Sequence, residues 1–574
     1  MALLVFPEGS ALGQPVFDDR TREAGLKVQA PFGIAALDYD KDGWPDLMVA
    51  ADSAESKLFR NLGNGHYADE TARTGLSLAG SFHSPLFADL NRDGWADLLM
   101  VGTEDSRLFL SDGAGAFVDH SRSSGLLGAG AKTATLGDFD NDGLLDLFLA
   151  ISHQPDRLFR NLGNGVFEDI SAEAQIEGPT GALAMQALWW DFNHDGWLDL
   201  VAVHDVDEPS RLYRNDGTLP FTDVALETGF SAVGSGNSMG VGLGDIDGDG
   251  WEDVYVTRIQ EGGLYRNEEG VSLTLMEDAL GAWRNGWSWG VVAGDFDNDA
   301  DQDLFIVSTS GMGGAPILLY ENRGTWLYER SSTNWLQGSV PDSSVAGAFS
   351  FGLAQADLDL DGRIDLAYPA QDGRVVLLHG AGPVGNWIQI QLEGTSANYH
   401  GMGARIEART RSRVFTRSLM AGDSYRSQSE PVVHLGLGAD DMVEELVVHW
   451  GGSQRDTLRS IPAGSRYIVR QGAGATTSLG QWPAQEGPEA PASIDAFPLP
   501  AHSRVMLRIH GELRQPHVSL TDLLGRELPA RLVPLSESDP WEASLDVDGL
   551  SSGVYWVRVT DGEHVFSRAI SVMR

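Results

Sequence analysis

Residues 38–50 read DYDKDGWPDLMVA: Asp38, Asp40 and Asp42 at alternate positions, Gly43, then Asp46 at the head of an apolar run. A short acidic stretch that opens straight into Leu, Met, Val and Ala is a loop feeding a buried strand. Working outward, the same register returns six times, as DLNRDGWADLLMV from Asp89, DFDNDGLLDLFLA from Asp138, DFNHDGWLDLVAV from Asp191, DIDGDGWEDVYVT from Asp245, DFDNDADQDLFIV from Asp295 and DLDLDGRIDLAYP from Asp357. The steps between first aspartates are 51, 49, 53, 54, 50 and 62 residues. A fixed period of about 50 residues marks a repeat architecture, and the whole chain is read in that frame.

Two further pieces recur in phase. One is a strand running into a Gly/Asn turn: KLFRNLGNG from Lys57, RLFRNLGNG from Arg157, RLYRNDG from Arg211 and GLYRNEEG from Gly263. The other is FxDxxxxxG[LF], from Phe17 to Leu26 and again from Tyr67, Phe117, Phe167 and Phe221. Each unit reads as strand, acidic hairpin loop, strand, turn and strand, which makes a four-stranded antiparallel blade. The first acidic loop already has an FxD strand before it, and the seventh is followed by RVVLLHG from Arg374 with no FxD piece after it. Pairing the strand at Phe17 with Val375–Leu378 completes one blade and leaves no open sheet edge. The expectation is an all-β chain whose residues 16–381 form a seven-bladed β-propeller.

The loops carry the chemistry. Counted from the first Asp, positions 1, 3, 5, 7 and 9 are Asp38, Asp40, Asp42, Trp44 and Asp46 in the first loop and Asp89, Asn91, Asp93, Trp95 and Asp97 in the second. They are Asp138, Asp140, Asp142, Leu144 and Asp146 in the third, and Asp191, Asn193, Asp195, Trp197 and Asp199 in the fourth. The fifth has Asp245, Asp247, Asp249, Trp251 and Asp253, the sixth Asp295, Asp297, Asp299, Asp301 and Asp303, and the seventh Asp357, Asp359, Asp361, Arg363 and Asp365. Calcium takes six to eight oxygens at about 2.3–2.6 Å. Carboxylates at 1, 3, 5 and 9 with the carbonyl of position 7 supply such a shell, and gathering them without a cation is strongly unfavourable. Up to seven Ca²⁺ are therefore expected, one per blade, moving the net charge from -42 to -28. Loops two and four, with Asn91 and Asn193, are one charge short and are expected to bind more weakly. Loop six has Ala300 where the others have Gly, which implies about 1 kcal/mol of strain.

These repeats resemble the FG-GAP (VCBS-type) repeats of integrin α-subunit propellers and their bacterial relatives, with the aromatic–Gly pair at Phe32-Gly33, Trp289-Gly290 and Phe351-Gly352. The resemblance implies that the side chains at positions 1, 3, 5 and 9 are calcium ligands.

From Asn386 the acidic loops stop. NWIQIQLEG, GARIEARTRSRVFTRSL, GDSYRSQSEPVVHLGLG and VEELVVHWGG are strand-forming, and Gly401, Gly403, Ala404, Arg405, Gly422, Tyr425, Ser427, Gln428, Ser429 and His434 to Gly438 are similar to the ASPIC/UnbV domain. That domain follows FG-GAP repeats in cartilage acidic protein and many bacterial secreted proteins, and the resemblance implies architecture rather than catalysis. It covers residues 385–471. Along the strand from Ala404, Ile406, Ala408 and Val414 alternate with Arg405, Arg409, Arg411 and Arg413. This basic stripe is read as a solvated face or a surface packed on the acidic propeller, with an acidic glycan as the alternative. Residues 472–492, rich in Gly, Ala, Pro and Thr, read as a linker. Residues 493–574 read as a β-sandwich, in which TDLLGRE (Thr521–Glu527) and GLSSGVYWVRV (Gly549–Val559) resemble the sorting domain of type IX secretion cargo; FPLP (Phe497–Pro500) replaces the usual Asn-Pro.

Composition limits the remaining choices. With 82 acidic against 40 basic residues the chain repels phosphate backbones, which argues against nucleic-acid partners. It has no Cys, which excludes disulfides, Cys-ligated metal and thiol catalysis. No apolar run reaches the length of a membrane-spanning helix. Residues 1–15, a leader or extension, carry a short apolar run at Ala2–Phe6 with no basic residue before it, a poor signal peptide. The fourteen His show no HExxH spacing, and no Gly-x-Ser-x-Gly turn stands in a strand-to-helix context. No catalytic or organic cofactor-binding residue is assigned. The expected function is binding of an extracellular glycan or protein by a secreted or cell-surface protein; a polysaccharide lyase or hydrolase on the same scaffold is the alternative. Trp283, Trp287 and Trp289 in RNGWSWG are read as core, with sugar stacking as the alternative.

Overall fold

The computed structural model describes residues 16–473, with breaks of which 231–236, 277–286, 310–316 and 338–348 are the longest, and beyond 475 it describes mainly strands. Residues 1–15, Trp283 and residues 498–500 of FPLP lie outside the described residues. Two compact units divide at residues 482 and 483.

The first repeat shows how each unit folds. Strands Pro31–Leu37, Asp46–Ala51, Lys57–Asn61 and Tyr67–Asp69 pair antiparallel in sequence order, and the pair Leu37↔Asp46 brackets the acidic loop. The second strand, DLMVAA, is buried along its whole length because other sheets pack on both of its faces, so it needs no polar alternation. The third strand, KLFRN, returns to a mixed pattern, with Leu58, Phe59 and Asn61 inside and Lys57 and Arg60 towards solvent.

Seven such sheets follow one another, with first strands Pro31–Leu37, Phe82–Ala88, Thr133–Gly137, Leu183–Trp190, Ser238–Gly244, Trp287–Gly294 and Ala354–Ala356. A separate apolar cluster fills each gap between neighbours. Leu47 and Val49 of the first sheet pack with Leu358, Val375 and Leu377 of the last, which closes the ring. Closure is covalently economical: Val16–Asp19 pairs antiparallel with Val375–Ala381, with Phe17↔Gly380 and Asp19↔Leu378 in register. The N-terminal strand thus completes the last sheet, at the place its FxD pattern indicates. A short strand, Leu336–Gln337, runs parallel along its outer edge.

The first unit also contains a β-sandwich. One sheet places Asn386–Glu393 between Val432–Gly438 and Ser465–Arg470; the other places Arg405–Arg409 between Val414–Ser418 and Met442–Gly451. Ile388, Ile390, Ile406, Ala408, Leu446 and Val448 form its core. Two expectations need correction. The sheet continues past residue 471, since Thr476–Leu479 pairs with Ser465–Arg470 inside the stretch read as linker. The run from Ala404 is a hairpin rather than one strand: the turn at Thr410–Arg413 shifts the phase, so Val414 is exposed and Phe415 is buried.

The C-terminal unit, residues 483–574, has two four-stranded sheets. Ser493–Phe497, Arg504–His510, Trp541–Asp546 and Arg531–Ser536 make one; Glu527–Leu528, His517–Thr521, Gly553–Thr560 and Val565–Val572 make the other. Leu520, Leu545 and Val557 are fully buried. Among the described residues no helix is long and apolar enough to cross a membrane.

Candidate metal-binding loops and a plugged axis

In the first loop Asp38 turns the chain back on itself: its two carboxylate oxygens accept from the amides of Asp42 (3.0 Å) and Gly43 (2.8 Å), and Asp42 accepts from Trp44 (3.0 Å). The pattern repeats at Asp89, Asp138, Asp191, Asp295 and Asp357. It requires left-handed backbone at position 6, where φ is +97° at Gly43 and +83° at Ala300. Ala300 therefore adopts the strained geometry that its sequence position implies. Ala300→Gly is expected to raise stability by about 1 kcal/mol, read as a denaturant midpoint that increases at unchanged slope.

Position 9 has a second role that the spacing alone hides. Asp46 is fully buried, and its carboxylate accepts from Tyr39 N (3.2 Å) and Asn61 N (2.7 Å), tying the loop to the third strand. The Asn of each FRN or YRN segment then reaches to another blade. Asn61 donates to Leu358 O (2.8 Å), Asn161 to Leu90 O (3.0 Å), Asn215 to Phe139 O (2.8 Å) and Asn267 to Phe192 O (3.0 Å); Asn322, which follows Glu321, reaches Ile246 O in the same way (2.8 Å). The signal was in the recurrent RN pair; its reach across blades was not.

The carboxylates converge. Ligand atoms of Asp38, Asp40 and Asp42 lie within 4.8 Å of one another, as do those of Asp138, Asp140 and Asp146, of Asp245, Asp247 and Asp249, of Asp295, Asp297 and Asp299, and of Asp359, Asp365 and His379. Asp140 Oδ1 and Asp245 Oδ1 are buried with no hydrogen-bond partner among the described residues. Burial, with a smaller contribution from neighbouring carboxylates, pushes Asp138 and Asp245 up to about 7 and Asp146 and Asp253 well above the usual carboxylate range. All-oxygen donor sets of this kind fit a hard divalent cation. Position 7 contributes its amide to the turn, while its side chain packs elsewhere: Trp44 and Trp197 lie over Gly63 and Gly217, where a Cβ would land about 2.5 Å from the indole.

The third strand adds counter-charges to some of the loops. Arg60 contacts both Asp40 and Asp42 at 2.6 Å, Arg160 contacts Asp140 at 3.0 Å, and Arg266 contacts Asp247 and Asp249 at 2.9 and 3.0 Å. In loop two the equivalent residue is Leu110, and in loop four Arg214 turns away to Asp216. Loops one, three and five, with four carboxylates, thus carry a guanidinium that loops two and four, with three, lack. Loop six has buried Glu321 at this place, and loop seven has His379, whose Nδ1 lies 3.1 Å from Asp359 Oδ2.

The sandwich sits on the loop face of the ring. Gln389 Nε2 donates to Asp357 Oδ2 (2.7 Å), Arg413 binds Asp301 Oδ1 (2.5 Å) and Ala300 O (2.6 Å), and Gly452 N donates to Gly196 O (2.7 Å). Of the basic stripe, Arg405 is buried and Arg413 is paired with the propeller, whereas Arg409 and Arg411 face solvent. Arg417, outside that stripe, is buried close to Asp245, Glu252 and Asp295.

From this face a loop of the sandwich, residues 420–430, enters the propeller axis. Gln428 N donates to Ile34 O (2.9 Å) and Ala36 N to Gln428 O (3.0 Å). The Gln428 side chain accepts from Phe87 N (3.0 Å) and donates to Phe87 O (2.9 Å). Thr135 Oγ1 donates to Ala421 O (2.7 Å), Gln186 Nε2 to Gly422 O (3.3 Å), and Gln355 N to Ser429 Oγ (3.1 Å). First strands of sheets one, two, three, four and seven thereby satisfy inner-edge groups on one segment. The plug fits only because the blades give way: a Cβ on Gly33 would lie 2.1 Å from Arg426 O. The segment occupies the axis along these blades, and a cavity of about 90 Å³ remains between it and the first strands of sheets five, six and seven, lined by Gly242, Val292, Gln355, Arg417 and Glu430. Trp289 packs here between Phe351 and Tyr425, at 4.9 and 5.1 Å, partly buried at the edge of a core cluster.

Comparisons with known proteins agree with this division. A model described as FG-GAP-like repeat matches residues 38–100, 89–149, 138–202 and 191–256; ASPIC and UnbV matches 394–476; and secretion system C-terminal sorting domain matches 495–573. A comparison with curated proteins returned no match. Among solved structures, a lectin of Agrocybe aegerita that recognises non-reducing terminal N-acetylglucosamine is 16% identical, over 62% of this chain and 88% of that one, with a TM-score of 0.38. PorZ, a surface component of the type IX secretion system of Porphyromonas gingivalis, is 12% identical over 95% and 81%, with a TM-score of 0.18. At such scores neither likeness bears on ligand or activity. The sorting domain marks the chain as a secreted or cell-surface protein.

Proposed function

We propose that this chain, which carries FG-GAP-like repeats, an ASPIC and UnbV domain and a C-terminal sorting domain, is a calcium-stabilised binding protein of the cell exterior, and not an enzyme. The observation that carries the reading is the convergence of carboxylates in the loops, with Asp140 Oδ1 and Asp245 Oδ1 buried and lacking a donor among the described residues. The residues that would hold calcium are the carboxylates at positions 1, 3, 5 and 9, with Asn91 and Asn193 at position 3 of loops two and four. Calcium would supply the positive charge that lets these oxygens stay ionised while buried. Exposed extracellular modules bind it at about 10⁻⁴–10⁻³ M, a range that matches an exterior location and would leave the loops empty in cytosol. The ligand is read as an extracellular glycan or protein. Its surface is expected away from the loop face, since the sandwich covers that face and the plug occupies the axis.

The test is metal analysis of the purified protein followed by a glycan and surface-protein array with and without calcium. About seven calcium ions per chain and saturable binding without turnover support the reading. Protein free of calcium after equilibration in millimolar CaCl₂, or turnover of a polysaccharide, refutes it.

A further inference from the structure

Six positions before the first aspartate of each loop, every blade places one residue at the axial mouth remote from the loops: Phe32, His83, Lys132, Met185, Met239, Trp289 and Phe351. Several of them touch their neighbours, making a collar. Phe32 stacks on Phe351 with centroids 5.0 Å apart and meets His83 at 5.1 Å; Phe351 meets Trp289 at 4.9 Å; and Lys132 Nζ lies 3.1 Å from Met185 Sδ. The tip of the plug rises into this collar. Arg426, at φ +58°, holds its guanidinium 4.8 Å over Phe32, 5.5 Å over Phe351 and 5.1 Å over Tyr425.

Arg426 is 7% exposed, and its Nε and Nη1 are buried with no hydrogen-bond partner among the described residues. Ser84 Oγ, one residue below His83, is orphaned in the same way, and Tyr425 Oη lies beside the guanidinium and interacts with it. Lys132 has the Met185 thioether as its neighbour and no carboxylate pair among the described residues. Asp205 acts on it only at longer range, and Asp52 lies 3.8 Å from His83. The charges of Arg426 and Lys132 are felt around the collar: with burial, they hold His83 down at about 4, and burial with Arg426 brings Lys132 down to about 8. In a chain of net charge -42, two cations are thus gathered in a partly buried collar where, among the described residues, neither is ion-paired with a carboxylate and the nearest, Asp52, sits on His83. Leaving such charges uncompensated is costly, because low dielectric penalises a lone ion.

We propose that this collar is a binding site for a small oxyanion carried on a sugar ring, a hexuronate or a sugar sulfate. It deepens the binding reading above by naming the surface and the ligand chemistry. Arg426 presents a planar fork that suits a carboxylate or sulfate, and Lys132 adds a second charge. The part-exposed rings of Phe32, Trp289 and Phe351 give flat apolar walls for the sugar body.

Titration calorimetry of the full chain in calcium, with D-glucuronate, D-glucose and inorganic sulfate, tests this. Saturable binding of glucuronate, at least tenfold tighter than glucose, is expected. Arg426→Gln should weaken it at least tenfold while the melting temperature stays within a few degrees. Lys132→Met, which leaves the plug untouched, should weaken it in the same direction. Sulfate binding weaker than glucuronate assigns part of the affinity to the rings, as proposed; equal binding overturns the sugar component. Absence of glucuronate binding by the folded protein, or equal affinity in both variants, overturns the site. A failed array alongside glucuronate binding refutes the calcium-dependent reading and leaves this one standing.

Discussion

Excess EDTA lowers the melting temperature of this protein by about 10 °C. At free calcium ten times the dissociation constant, each site stabilises the folded state by about 1.4 kcal/mol, so seven contribute about 10 kcal/mol. For a cooperative unit of roughly 450 residues, unfolding entropy near 60 °C converts each kcal/mol into about 1 °C. The sign of the pH dependence distinguishes this from general weakening. In chelator, Asp138 and Asp245 have folded-state values of about 7, above their unfolded values near 4. They bind more protons folded than unfolded, so their contribution is present at low pH and lost as pH rises from about 4 to about 7. With calcium bound the slope reverses, because the metal requires ionised ligands. Calorimetry at pH 5 and pH 8, with and without EDTA, measures both; equal melting temperatures in all four conditions would remove calcium from the account.

Gln428→Leu destabilises the first unit by about 4 kcal/mol. Gln428 is fully buried, and its amide serves the N–H and C=O of Phe87. Those two groups stand on the axial edge of a first strand, where no further strand can pair with them. Leucine leaves both unsatisfied in a dry interior, at about 1–3 kcal/mol each. Because the plug joins five of the seven sheets to the sandwich, the loss should also uncouple melting of the ring from that of the sandwich, giving two calorimetric transitions where the parent has one. A single transition within 1 °C of the parent would show that the plug is passive filling.

The sequence conveyed the parts of this molecule that are local. The loop register, the blade period and the strand at Phe17 that completes the last sheet all follow from residues within one repeat, where each choice of Asp, Gly and apolar residue agrees with the next. What could not be read lies between repeats and between domains. Gly422 to Gln428 looks like a loop of the sandwich, and nothing local says that its hydrogen bonds go to Ile34 and Phe87 more than 340 residues earlier. Asn61 announces a turn but not its bond to Leu358. Counting each loop's own carboxylates leaves out Arg60, Arg160 and Arg266, which stand about 22 residues downstream and pair with loops one, three and five. Val414 was misplaced because alternation was carried through Thr410–Arg413, where the chain reverses.

The pairing of Val16–Asp19 with Val375–Ala381 also sets an order of events in biogenesis. Any nascent or truncated chain ending before residue 381 has two raw strand edges and no way to join them, however well its earlier blades have formed. Such fragments are adhesive by construction, since bare edges recruit one another. The last partner of the first strand is therefore a checkpoint for length, and an interrupted product should appear as aggregate rather than as a smaller ring.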